Sequence, residues 1–198
     1  MKSVRQLILI ALFTALIAVL AQIAVPLPFS PVPVTGQLIA VFLAGTLLGG
    51  KGAFLAVLAY LLLGAAGAPV FSMGRGGIFI LLGPTGGYLW GFLPAAFVSG
   101  SLQKGTPGLT RTAAAMALGL GCAYLPGTLQ LSLIMGYSAG QAFLAGVVPF
   151  IPVELIKVAL AAALGTRIKR SLHRSGLLQP PFENEKLLKP DIQQHRAE

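Results

Sequence analysis

Pro149-Phe150-Ile151-Pro152-Val153-Glu154-Leu155-Ile156-Lys157-Val158-Ala159-Leu160-Ala161-Ala162-Ala163-Leu164-Gly165 reads as a long apolar helix carrying one carboxylate and one amine three positions apart. Residues at that spacing share a helix face, so Glu154 and Lys157 point the same way. The chain has five acidic residues, and the other four (Glu183, Glu185, Asp191, Glu198) fall in its last sixteen positions. Glu154 is therefore the sole acid of the apolar body. An ionisable pair inside an apolar span is costly and by default marks a site.

The rest of the composition fits this setting. Over 198 residues the chain is 56% hydrophobic and 10% charged, with a mean hydropathy of +0.84. These values place it with multi-span membrane proteins and suggest one helical bundle. The net charge of +9 does not imply nucleic acid, because the basic residues sit between apolar runs and form no patch interleaved with aromatics. Cys122, the single cysteine, lies in an apolar run beside Gly121 and reads as a packing residue. Lys2 and Arg5 ahead of an apolar run imitate a signal peptide, but Leu7 to Val25 is longer than a typical signal core and further spans follow. The expectation is a retained first transmembrane helix.

In chain order, helix one is expected over 6–24, with Ala11, Ala15, Ala18 and Ala21 forming a small-residue stripe. Such a stripe admits a close helix neighbour, either from another protein or from the same bundle. Val25 to Thr35 alternates prolines with apolar residues. It predicts an extended, greasy loop, unable to form a helix and short of donors for a sheet, folded over the mouth of a cavity. Helix two follows over 36–49 with Gln37 near its entrance, where the plain reading is a cap. After the turn Gly49-Gly50-Lys51-Gly52, helix three runs to about Gly67. The next stretch, Ala68 to Gly87, is rich in glycine and holds a lone Arg75, a pattern that permits close approach of backbone to a ligand. It contains no phosphate-loop motif, so the chain does not itself hydrolyse ATP by that device.

Helix four is expected over 84–102, with Pro84 in its first turn and Tyr88 and Trp90 as interfacial anchors or pocket walls. Helix five is expected over 111–134, and Ser138 to Gly146 forms a short helix capped by Ser138. Helix six begins near Pro149 or Pro152 and ends near Arg170, long enough to span. The fold expected is an all-α integral membrane protein, a compact bundle of six transmembrane helices with a proline-rich outer lid. Its membrane domain covers 1–172, and 173–198 form a polar cytoplasmic tail, expected to be flexible.

Six helices put both ends on one side. That side holds nine basic residues ahead of the tail (Lys2, Arg5, Lys51, Lys104, Arg111, Arg167, Lys169, Arg170, Arg174), against Arg75 alone on the other. This bias predicts cytoplasmic termini. The proline loop, the Arg75 loop and the start of helix six then converge on the outer face.

A carboxylate, an ammonium, a lone guanidinium, glycine backbone and aromatic rings suit a ligand with a small polar head on an apolar body. Glu154 can accept from ring N–H groups, and Lys157 or Arg75 can donate to a carbonyl or pair with a carboxylate. The competing reading is a structural pair that neutralises itself. Hydrolysis and metal chemistry find little support. His173 and His195 lie on the basic flank and in the tail, and there is neither a second intramembrane acid nor a Cys/His cluster. A channel is equally poorly supported, since one charge pair makes no ring of ligands.

Four motifs in this order resemble the BioY family, the biotin-binding S components of energy-coupling-factor transporters. They are Pro31-Val32-Pro33-Val34-Thr35-x-Gln37, Gly67-x-Pro69-Val70-Phe71, Gly83-Pro84-Thr85-Gly86-Gly87-Tyr88, and Ala145-Gly146-Val147-x-Pro149-Phe150-Ile151-Pro152 followed by Glu154-x-x-Lys157. The resemblance covers about 6–172. It implies a cell-membrane protein that captures biotin from outside, is not an enzyme and needs no cofactor. It implies head-group contacts from Glu154 and Lys157, with the site completed by the Phe71 to Gly77 loop including Arg75, by Thr85 and Tyr88, and by Gln37 behind a lid at about 26–36. It also implies docking through Ala11 and Ala15 to a transmembrane coupling subunit driven by two cytoplasmic ATPases, with membrane lipid around the bundle and no role for nucleic acid.

Three positions depart from the family pattern. Glu154 stands where aspartate is usual, which moves the carboxylate by about 1.5 Å. Gly36 replaces a common leucine, and Arg75 interrupts a stretch that is more often small and neutral. An S component for another vitamin, or an intramembrane enzyme with Glu154 as base, are the rival readings.

Overall fold

The computed structural model describes residues 4–103, 105 and 108–175. Lys2 and Lys104, and the part of the expected tail from 176 onward, lie outside the described residues.

The chain opens with helix α1 (Val4–Ala21), which turns Phe13, Thr14, Ile17 and Ala21 inward and leaves Ala11 and Ala15 exposed. Thr14 lets it lie close to its neighbour, its hydroxyl donating to Ala56 O at 3.0 Å. Strands β1 (Ala24–Leu27) and β2 (Ser30–Thr35) follow. They form an antiparallel hairpin with Val25 opposite Val34 and an irregularity between Val25 and Leu27. The sequence predicted an extended segment here but too few donors for a ladder, and the structure corrects the second point. Gly36 N–H donates to Ile23 O at 3.0 Å, so on this side of the hairpin the even-numbered residues face the partner strand. Pro31 and Pro33 alternate with them and point their nitrogens away, where a two-stranded ribbon needs no donor.

Helix α2 (Gln37–Ala65) is interrupted at Gly49, which has φ 73 and ψ 174. Gln37 and Tyr60, one on each side of that break, are hydrogen-bonded through their side chains. Along a straight helix, residues 23 positions apart are separated by roughly 34 Å. The chain therefore doubles back at Gly49, and α2 is two antiparallel arms, matching the expected helices two and three. Then come a 3-10 turn at Ser72–Gly74 and a five-residue helix α3 (Ile78–Leu82) inside the stretch read as glycine loop.

Helix α4 (Gly86–Ser101) packs against α2 with almost no side chain between the backbones. A Cβ on Gly100 would sit 2.6 Å from Gly50 N, so small residues set the spacing. Helix α5 (Leu109–Met135) ends on Gly136 in the left-handed conformation. Helix α6 (Ala139–Gly146) starts with the expected Ser138 cap, reciprocated by Gln141 in a capping box. A 3-10 turn at Val148–Phe150 leads into helix α7 (Ile151–Arg174), with Pro152 in its first turn. Among the described residues, four helical stretches are long and apolar enough to cross a membrane. The molecule is a multi-pass helical membrane protein.

Candidate functional site

The hairpin, the entrance to α2, the starts of α4 and α7 and the middle of α5 enclose one cavity. Its walls come from Val32, Pro33 and Thr35 on β2, Gln37 and Leu38 on α2, and Thr85, Tyr88, Leu89 and Phe92 at or in α4. Tyr124 and Ala123 of α5, with Phe150 and Glu154, close the opposite side. Counting its open side, the space between these walls is about 610 Å³.

Glu154 sits in the first turn of α7, which Pro152 opens, and lines this wall. Lys157 Nζ donates to Glu154 Oε1 at 2.6 Å, and both side chains are buried. The second carboxylate oxygen, Oε2, is buried with no hydrogen-bond partner. Lys157 stands behind Glu154, outside the cavity wall itself.

The other polar groups of the wall are held in place by hydrogen bonds. Thr35 Oγ1 donates to Gln37 Oε1 at 2.9 Å, Gln37 Nε2 donates to the Tyr60 hydroxyl, and Tyr60 O–H donates to Val70 O at 3.2 Å. One chain of bonds thus ties the hairpin to the loop after α2. Gln37 is more than the helix cap of its plain reading, because both ends of its amide are committed to side chains. Tyr88 O–H donates to Gly146 O at 3.0 Å. Its ring meets Tyr124 edge to face, with centroids 5.8 Å apart and planes at 88°, a favoured aromatic geometry.

The structure brings Glu154, Thr85, Tyr88 and Gln37 together at the cavity and places Arg75, Phe71 and Gly77 elsewhere. Arg75 is exposed and folds back on its own turn, donating to Ser72 O at 3.1 Å and to the Ser72 hydroxyl at 3.4 Å. Phe71 is buried behind the wall, edge-on to Tyr60 at 5.5 Å. Gly77, at φ 101, donates to Gly64 O at 2.7 Å and secures the loop to α2. Ser72 supplies the loop's contribution to the wall. Sequence reasoning placed the Phe71 to Gly77 loop at the site without singling out Ser72, and missed Tyr124. A lone hydroxyl beside a lone arginine draws no attention, and one aromatic in an apolar helix offers no contrast. Trp90, the other candidate wall residue, instead donates from Nε1 to Leu81 O at 3.2 Å.

Among the described residues, no group of three or more His, Cys, Asp or Glu side chains could hold a metal ion. A second hollow between α5 and α6, about 930 Å³ counting its open side, shares Tyr124 with the first and is lined by apolar side chains and hydroxyls.

Comparison with known proteins gives a consistent result. The BioY family model matches residues 1–174. The biotin transporter BioY of Thermotoga maritima is 44% identical over 84% of this chain and 96% of its own. The corresponding protein of Rhizobium etli is 41% identical over 84% of this chain and 94% of its own. A crystal structure of the S-component for biotin from an ECF-type ABC transporter superposes with a TM-score of 0.79 at 30% identity, covering 84% of this chain and 92% of that one.

Proposed function

The chain belongs to the BioY family, and from that premise we propose how it binds and delivers its ligand. It is a biotin uptake protein, the substrate-binding S component of an ECF transporter, and not an enzyme.

On our reading, biotin lies in the cavity beneath the hairpin with its ureido ring against Glu154. The observation that carries this is the buried, unpartnered Oε2 of Glu154 in the cavity wall. A self-neutralising pair would account for the Lys157 contact but not for an acceptor stripped of water and left unmet, which costs about 1–3 kcal/mol or more for a charged group. A ureido N–H donating to Oε2 would supply the missing bond. Lys157 Nζ holds the carboxyl group in place through its 2.6 Å bond to Oε1. Thr85 and Gln37 offer polar contacts, Tyr88, Tyr124 and Phe92 offer apolar surface, and the valerate chain runs toward the open side. Arg75 could meet the valerate carboxylate only by leaving Ser72. No cofactor takes part.

The two arms of α2, with α1, α4, α5 and α7, make six crossings, and the hairpin is the lid. Both termini are cytoplasmic in the cell membrane, and the membrane domain is 1–172. Exposed Ala11 and Ala15 dock the coupling subunit, and two cytoplasmic ATPases drive release inward. The direct test is mass spectrometry of the ligand carried through gentle purification. Unmodified biotin is expected, and a different vitamin in its place overturns the reading.

A further inference from the structure

Gln22, just past the end of α1, holds the turn that follows α2. Gly74 N–H donates to its side-chain Oε1 at 2.9 Å. Its Nε2 donates to Ala18 O at 3.1 Å and reaches Phe71 O at 3.3 Å and Val70 O at 3.4 Å. The turn is a backbone conformation that needs holding. Met73 lies at φ 63 and ψ 33, the only non-glycine residue with positive φ among those described, and Gly74 follows at φ 68. Residues with a Cβ seldom adopt that region and persist there only where neighbours over-determine it. Phe71 N–H donates to Arg75 O at 2.8 Å to close the turn's base, and buried Tyr60 fixes Val70 from inside. The apex is held from outside by Gln22. Ser72, between base and apex, is the part of this turn that enters the cavity wall.

We propose that Gln22 is a positioning residue for the bound ligand. Its amide latches the Val70–Gly74 turn so that Ser72 stays in the wall, and opening of the latch limits ligand release. The inner anchor, Tyr60, is buried, whereas Gln22 is exposed. Water competes for the exposed Gln22 bonds and for the exposed Arg75 to Ser72 contacts, but the latter close within the turn itself, so the Gln22 side is the one that can part from its neighbour. The inference rests on the reading of the cavity as the biotin site.

Two variants separate the halves of the amide in the full-length protein. Gln22→Met keeps length and loses every bond, whereas Gln22→Glu keeps the acceptor for Gly74 N–H, the shortest contact. Release of radiolabelled biotin should be about tenfold faster from Gln22→Met, with association and thermal midpoint unchanged, and intermediate from Gln22→Glu, whose second oxygen cannot donate to Ala18 O, Phe71 O or Val70 O. In the ligand-free protein, hydrogen exchange at the Gly74 amide should accelerate by a similar factor in Gln22→Met only. Wild-type release from Gln22→Met, or unchanged exchange at Gly74, overturns the latch. Failure of the wild-type protein to bind biotin overturns the ligand reading instead, and the exchange result then decides the latch alone.

Discussion

Moving a carboxylate and an ammonium out of water costs several kcal/mol per ion, and the 2.6 Å contact between Lys157 and Glu154 offsets only part of that. Glu154 lines the cavity and its buried Oε2 has no partner, which is why we propose that a ligand N–H completes it. The aromatic side of the same wall depends on missing atoms. A Cβ on Gly127 would sit 2.3 Å from Tyr88 Cδ1, and one on Gly146 would sit 2.2 Å from the Tyr88 hydroxyl oxygen. Gly127→Ala therefore has to push Tyr88 into the cavity. Overpacking of this kind costs about 1–3 kcal/mol, so equilibrium binding should show biotin affinity lowered by about tenfold while the protein still folds. Glu154 and Lys157 are legible in the sequence because a charge in an apolar run has no cheap explanation. Arg75 misleads for the same reason. It looks like a ligand group, yet its exposed guanidinium is met by Ser72, three residues earlier, through two hydrogen bonds, a local solution that spacing does not reveal.

At the scale of elements, the helices follow from apolar run length, and their ends from glycine and cap residues such as Ser138 and Gly136. The hairpin was only half legible. Alternating prolines announce an extended chain, but which nitrogens face the partner strand depends on register, fixed here by the Gly36 to Ile23 bond. Gly49 marked a turn in the sequence, and the pairing of Gln37 with Tyr60 shows that the chain reverses there. Helix α1 spends its buried face on the bundle through Phe13, Thr14 and Ile17, which leaves Ala11 and Ala15 on the other side. Ala11→Trp or Ala15→Trp should abolish biotin uptake in cells containing the coupling module and leave binding by the isolated protein intact. Normal uptake by both variants removes the docking face.

For the molecule as a whole, Arg5, Lys51, Arg111, Arg167, Lys169, Arg170 and Arg174 lie toward the helix ends away from the hairpin, and the positive-inside bias makes cytoplasmic termini our proposal. With Cys122 replaced by serine, a cysteine introduced at exposed Phe29 in the hairpin should react with an impermeant maleimide on intact cells. One introduced at Ser175, beyond α7, should react only after permeabilisation, and the reverse pattern inverts the topology. The claim on which the rest depends is that the buried acid–amine pair binds ligand rather than merely neutralising itself. Calorimetric titration of biotin into wild type and into the double variant Glu154→Met, Lys157→Met tests it most directly, because replacing both partners by apolar side chains of similar volume leaves neither an unpaired buried charge nor an orphaned polar atom. The account predicts an unchanged thermal midpoint with affinity reduced by well over about tenfold, and wild-type affinity in the folded double variant would contradict it.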